Sequence, residues 1–230
     1  MKNKALYIIP TAIVAIALFA YFAINNPFSK KEPSAQNGKS ESEENEQMGN
    51  SEDNNQSEQL PMGGNGDGSQ ENPPVSQMVN NIVTDDFQIT PPPGWEGRPA
   101  PEGLLAIAIK PNEAITDPAA VKIGFKSYLA VTRDNLQGKT KEDYVNFIGE
   151  ELKKASLSVS LDTTWSTKVD GRDATVLDVS MNQQNVDFKA SIFLVWDGED
   201  VWAISFNTTE DKWNEYKDSF FTSGSSFKLK

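Results

Sequence analysis

Asp197, Glu199 and Asp200 crowd one short turn around Gly198, and oxygen ligands so close together are what a hard cation such as calcium or manganese takes. The same run suits a solvated hairpin tip, because Asp and Gly supply turn geometry, so these three are the metal candidates of a segment that reads first as a turn. Two further carboxylate pairs, Asp85 with Asp86 and Glu142 with Asp143, carry acid–base potential. Neighbouring residues on a strand point to opposite faces, however, and Glu142 and Asp143 suit a helix start, where negative charge meets the dipole. Trp95, Trp202 and Trp213 could line a ligand groove, although aromatic residues at strand and helix spacing are more often core. Asn65, Asp67, Ser69 and Glu71 imitate a calcium loop, but its sixth position falls on Gln70 instead of glycine and its twelfth on Ser76 instead of Glu, which leaves a flexible spacer.

Composition closes most other chemistries. The chain has no cysteine and no histidine, which excludes disulfides, lipid attachment through an N-terminal Cys, Cys/His zinc sites, Ser-His-Asp triads and Cys nucleophiles. No catalytic constellation and no cofactor is expected. A formal net charge of -12 argues against nucleic acid as a partner and against a polybasic grip on anionic lipid.

Three segments must carry whatever function remains. Ala5 to Ile24 is apolar apart from Tyr7, Thr11 and Tyr21 and, as a helix, reaches about 30 Å, one bilayer core. Its only A-x-A, Ala15-Ile16-Ala17, lies mid-run, so it reads as a retained transmembrane anchor within residues 1–30 and not as a cleaved signal. Four residues precede it and nearly all the mass follows, which favours a short cytoplasmic stub with the bulk outside the cell membrane. The sequons Asn55-Gln56-Ser57 and Asn207-Thr208-Thr209 suit that side. Residues 31–82 are Ser, Asn, Gln, Glu and Gly, with ten acids against Lys39 from residue 32 onward, a composition predicted to stay disordered and to span roughly 40 Å.

From Val83 onward the pattern becomes aromatic and periodic, enough for one domain over 83–230. Phe87 and Ile89 predict a strand running into the turn Pro91-Pro92-Pro93-Gly94-Trp95. Leu104 to Ile109 and Ser127 to Thr132 predict two more. Thr140 with Asp143 predicts a capped helix carrying Tyr144, Ile148 and Leu152 on one stripe. Four strands follow, near Ser158 to Lys168, Ala174 to Met181, Val186 to Trp196 and Asp200 to Phe206, with turns at Asp170-Gly171, Gln184-Asn185 and Asp197-Gly198. The run from Ile192 to Trp196, apolar on both faces, belongs at the centre of a covered sheet. Thr208 or Thr209 would cap a last helix with Trp213, Tyr216, Phe220 and Phe221, stopped by Gly224. The expected class is α+β, a mostly antiparallel sheet covered by helices.

Phe87 leading into Pro92-Pro93-Gly94-Trp95, the hairpin Asp170-Gly171, the strand ending Phe206-Asn207-Thr208-Thr209-Glu210, and Trp213, Tyr216, Ser226 and Phe227 near the end together resemble the PsbP-like group, over nearly all of residues 83–230. The resemblance implies a Mog/PsbP-type α-β-α sandwich serving as a non-catalytic extracytoplasmic accessory that docks on or helps assemble a membrane protein complex. Photosystem members of that group are linked to calcium retention and to metal ligation partly through His, which this chain lacks, so that role does not carry over. A transmembrane anchor also replaces their lipid anchor or free N-terminus. The alternative is a small-ligand or divalent-cation binding module.

Overall fold

The computed structural model describes residues 81–155 and 158–230. The anchor at Ala5 to Ile24, the acidic linker, the imitation calcium loop and the Asn55 sequon lie outside them. The described residues form ten strands and three α-helices. They are β1 (Ile82–Val83), β2 (Phe87–Ile89), β3 (Glu96–Arg98), β4 (Ala106–Ile109), α1 (Pro118–Lys122), β5 (Tyr128–Asn135), α2 (Lys141–Ala155), β6 (Ser158–Val169), β7 (Arg172–Gln183), β8 (Val186–Asp197), β9 (Asp200–Thr209), α3 (Trp213–Ser225) and β10 (Lys228–Leu229). A seven-stranded antiparallel sheet runs in the order β3-β4-β5-β9-β8-β7-β6, and a small sheet has the order β1-β2-β10.

Local chemistry explains the long meander from β6 to β9. Its first two turns place Asp170 and Gly171, then Gln184 and Asn185, at positive φ, the primed geometry that matches strand twist. In the third, Gly198 takes φ 64° as the first of two turn residues, so the turn is Gly198-Glu199 and Asp197 remains the last residue of β8. The prolines after β2 behave as expected: the Trp95 N–H donates to the Pro92 carbonyl at 3.0 Å, with Gly94 at φ 74° behind Pro93. At α2 the Thr140 hydroxyl oxygen accepts from the Asp143 N–H at 3.1 Å, and its O–H donates to the Asp143 carboxylate at 2.7 Å.

The sheet is covered on both faces, an α-β-α sandwich. Tyr144, Ile148 and Leu152 of α2 pack with Ile192, Leu194 and Trp196 of β8 on one side. Tyr216 and Phe220 of α3, with Phe87 and Phe227, pack with Phe193 and Val195 on the other. The apolar run of β8 lies between β7 and β9, which is why both faces are dry.

Three expectations need correction. Strand β9 continues through Thr209, and a 3₁₀ turn at Glu210–Lys212 separates it from α3, so neither threonine caps the helix; Thr209 makes no side-chain cap hydrogen bond and Thr208 Oγ1 lies 2.8 Å from Ser127 Oγ. Gly224 lies inside α3 at ordinary helical φ and does not stop it. The Asn207 sequon is buried in β9, which closes it to glycosylation once the chain has folded.

Candidate functional site

Two of the three metal candidates end up on arginines. Asp197 and Asp200 are register partners closing the β8–β9 hairpin. Arg172 Nε donates to Asp197 Oδ1 at 2.9 Å, and the Arg133 guanidinium donates to Asp200 Oδ2 at 2.6 Å. Arg172 also reaches Asp170 Oδ2 at 2.7 Å, so it ties two hairpin tips together. The hydrogen bond that Arg133 donates to Asp200 raises the Arg133 pKa, and the one that Arg172 donates to Asp197 does the same for Arg172. Glu199 offers its backbone carbonyl to the Leu136 N–H at 2.8 Å. Among the described residues no three Asp or Glu side chains converge as a cation site. Of the other carboxylates, Asp85 and Asp86 are exposed in the β1–β2 turn, and Asp143 serves the α2 cap.

Neither do the three tryptophans open a groove. Trp95 and Trp202 are buried among the α3-side aromatics, Trp95 edge-on to Tyr216 and Phe220, Trp202 under the Arg133 guanidinium at 5.2 Å. Trp213 is half-buried beneath Lys189. The most exposed tryptophan is Trp165 on β6, 36% exposed.

That strand is one margin of the large sheet. The opposite margin, β3, is three residues long and carries the Glu96–Arg98 ion pair, both features that discourage further pairing. Strand β6 is twelve residues long, and among the described residues nothing pairs with its outer side. A bulge between Leu161 and Thr163 divides it. There Asp162 turns inward and accepts from Ser160 at 2.7 Å, Ser180 at 2.5 Å and Lys189 at 3.2 Å. Burial opposes ionisation, but these three donors outweigh it and hold the carboxyl below its ordinary pKa. A bulge with an inward charge guards the first part of an edge. From Thr163 to Val169 the ladder with β7 is regular, and Trp165, the register partner of Val176, stands on the α3 face. Leu161 stands on the α2 face, 3.3 Å from where a side-chain carbon at Gly149 would begin.

The sequence reading missed this edge. Its signal was present: only Val159, Leu161, Trp165 and Val169 are apolar among twelve residues, too few for a strand covered on both sides.

On the α2 face, a groove of about 360 Å³ runs beside β6, lined by Lys141, Val145, Thr164, Ser166, Asp173 and Trp196 among others. Asp173 accepts from Lys168 at 2.6 Å and Lys141 at 3.0 Å, and those two ammonium groups hold its pKa down to about 2. A depressed carboxylate pKa means that the stabilisation is present above the unfolded value near 4 and is lost as pH falls toward 2. Carboxyl NMR of Asp173 is expected to show a midpoint near 2, moving back toward about 4 in Lys141→Met/Lys168→Met. An unchanged midpoint in that double variant would refute the assignment of cause.

No protein-family model matches the chain, and no curated protein matches it. Solved structures do. A protein of unknown function, PA94 from Pseudomonas aeruginosa, is 15% identical, the match covering 56% of this chain and 92% of that one at a TM-score of 0.40. Cyanobacterial PsbP (CyanoP) from Synechocystis is 18% identical, covering 63% and 86% at 0.43. LpqN of Mycobacterium tuberculosis, described as involved in cell envelope biogenesis, is 11% identical, covering 62% and 82% at 0.50. What this chain shares with LpqN is the fold, an antiparallel α+β sandwich.

Proposed function

We propose that this chain is a membrane-anchored, extracytoplasmic, non-catalytic accessory protein that docks on or helps assemble a membrane protein complex. The observation that carries this reading is the open β6 edge with Trp165 at its centre: a regular strand offers unpaired backbone groups, and an exposed aromatic side chain offers an anchor. Membrane attachment rests on the apolar sequence from Ala5 to Ile24. Among the described residues no helix is long and apolar enough to cross a membrane. The fold it shares with an envelope-biogenesis protein is compatible with work outside the cytoplasm. The cation-binding reading is weakened, because Asp197 and Asp200 already face Arg172 and Arg133.

The test is crosslinking of the full chain in its native membranes. Adducts are expected for the natural chain and should fall by about tenfold or more in Trp165→Lys, since a central anchor is worth about 2 kcal/mol and lysine on an edge opposes strand addition. The melting temperature of the variant should stay close to that of the natural chain. Equal adduct yields from both chains would sink the reading.

A further inference from the structure

The outer edge of β6 reads almost the same in both directions about Trp165: Thr163-Thr164-Trp165-Ser166-Thr167. An antiparallel strand pair with two-fold symmetry sets each residue against the one equally far on the other side of the centre, so a palindromic edge is complementary to itself. We propose that the partner of the β6 edge is the β6 edge of a second copy of this chain, paired antiparallel in the register that sets Trp165 against Trp165. This rests on the β6 edge being the docking surface.

The chemistry of that register is consistent along its length. Thr163 meets Thr167 of the second copy and Thr164 meets Ser166, which are favourable cross-strand pairs, and the central pair is aromatic on aromatic. Strand alternation places Thr163, Trp165 and Thr167 on the α3 face and Thr164 and Ser166 on the α2 face, as their β7 partners show. A two-fold axis normal to the sheet therefore joins like face to like face, and the two sheets continue as one.

Charge selects the same register. Residues 83–230 carry a net charge of -7, which repels a second copy in most orientations, yet no acid lies between Thr163 and Val169. Lys168, the one charge in that stretch, is carried to the Leu161-Asp162 bulge of the other copy and away from the other Lys168. The bulge ends the pairing on both sides, leaving roughly five residues per strand, far less than the surface a stable soluble complex buries. Two copies confined to one membrane meet at a raised effective concentration, which is where so short a contact suffices.

Because the chain has no cysteine, introduced thiols report on this register alone. Directly opposed residues of an antiparallel pair bring their Cβ atoms to about 5 Å, within reach of a disulfide, whereas residues four apart on one strand are about 13 Å apart. Full-length Thr163→Cys/Thr167→Cys, oxidised mildly in native membranes, is expected to give a covalent species of twice the chain mass, at least tenfold more than either single variant. Equal yields from single and double variants, or none from any, would overturn the register. Trp165→Cys carrying a benzophenone label separates the two levels of the argument. A photoadduct of twice the chain mass supports pairing between copies. An adduct to a different protein in its place overturns self-pairing and leaves the docking surface standing, and the absence of any adduct overturns both.

Discussion

Gly224→Ala is expected to destabilise the domain by about 2–3 kcal/mol, the cost of overpacking a filled core. Helix propensity alone predicts the opposite sign, because alanine in a helix interior is favoured over glycine by about 1 kcal/mol and Gly224 has no left-handed φ to lose. Sterics decide the matter. A Cβ at position 224 would stand 2.6 Å from Phe193 Cζ and 2.7–2.8 Å from two more carbons of that ring. The ring cannot step aside cheaply, since it packs edge-on to Phe206 at 5.9 Å and against Phe221 at 6.1 Å from its place in central strand β8. Phe193→Leu should restore part of the loss when combined with Gly224→Ala, so that the pair is far from additive. Urea unfolding of the single and double variants checks this, and a rise in stability on Gly224→Ala would show that α3 stands further from the sheet.

The same glycine marks where sequence pattern stops being informative. Thr140, Tyr144, Ile148 and Leu152 announced α2 because its cap and apolar stripe are local, and the run from Ile192 to Trp196 announced a central strand because burial on both faces leaves no polar position. Gly224 looks like a helix stop by the same local logic. Its reason is instead a tertiary contact with a residue 31 positions earlier, which no window along the chain contains. The two-residue strands β1 and β10 are likewise too short to show a period and are fixed by pairing with β2. As for the candidate site, Asp197 and Asp200 were visible as residues, but their partners Arg172 and Arg133 stand 25 and 67 positions away, and those partners decide what the carboxylates do. The β6 edge was legible only as a shortage of apolar residues, and which strand ends a sheet depends on topology, which spacing does not encode.

Glu113→Ala is the second large effect to be expected, a loss of about 2–4 kcal/mol, and it bears on how the loop between β4 and β5 is held to the sheet. Glu113 is only 7% exposed, and both its oxygens are engaged by one fully buried residue: the Ser127 N–H donates to Oε2 and the Ser127 hydroxyl to Oε1, each at 2.7 Å. Lys126 Nζ donates to the Glu113 backbone carbonyl at 3.1 Å. From α3, burial and then the Glu113 charge push the Tyr216 phenol pKa upward, so the phenol keeps its proton over the whole working range. Removing the carboxylate spares its desolvation but strands the Ser127 N–H without an acceptor in a place water does not reach, and an orphaned buried donor costs about 1–3 kcal/mol. The hydroxyl of Ser127 has Thr208 Oγ1 at 2.8 Å to fall back on, so the backbone donor dominates the loss. That asymmetry ranks the variants. Ser127→Ala keeps the N–H bond to Glu113 and should cost about 1 kcal/mol, whereas Glu113→Gln, with one acceptor oxygen left, should fall between it and alanine. Glu113→Ala with Ser127→Ala should cost less than the sum of the two, because they share a hydrogen bond. Additive losses in thermal or urea unfolding would mean that the carboxylate holds the loop through groups other than Ser127.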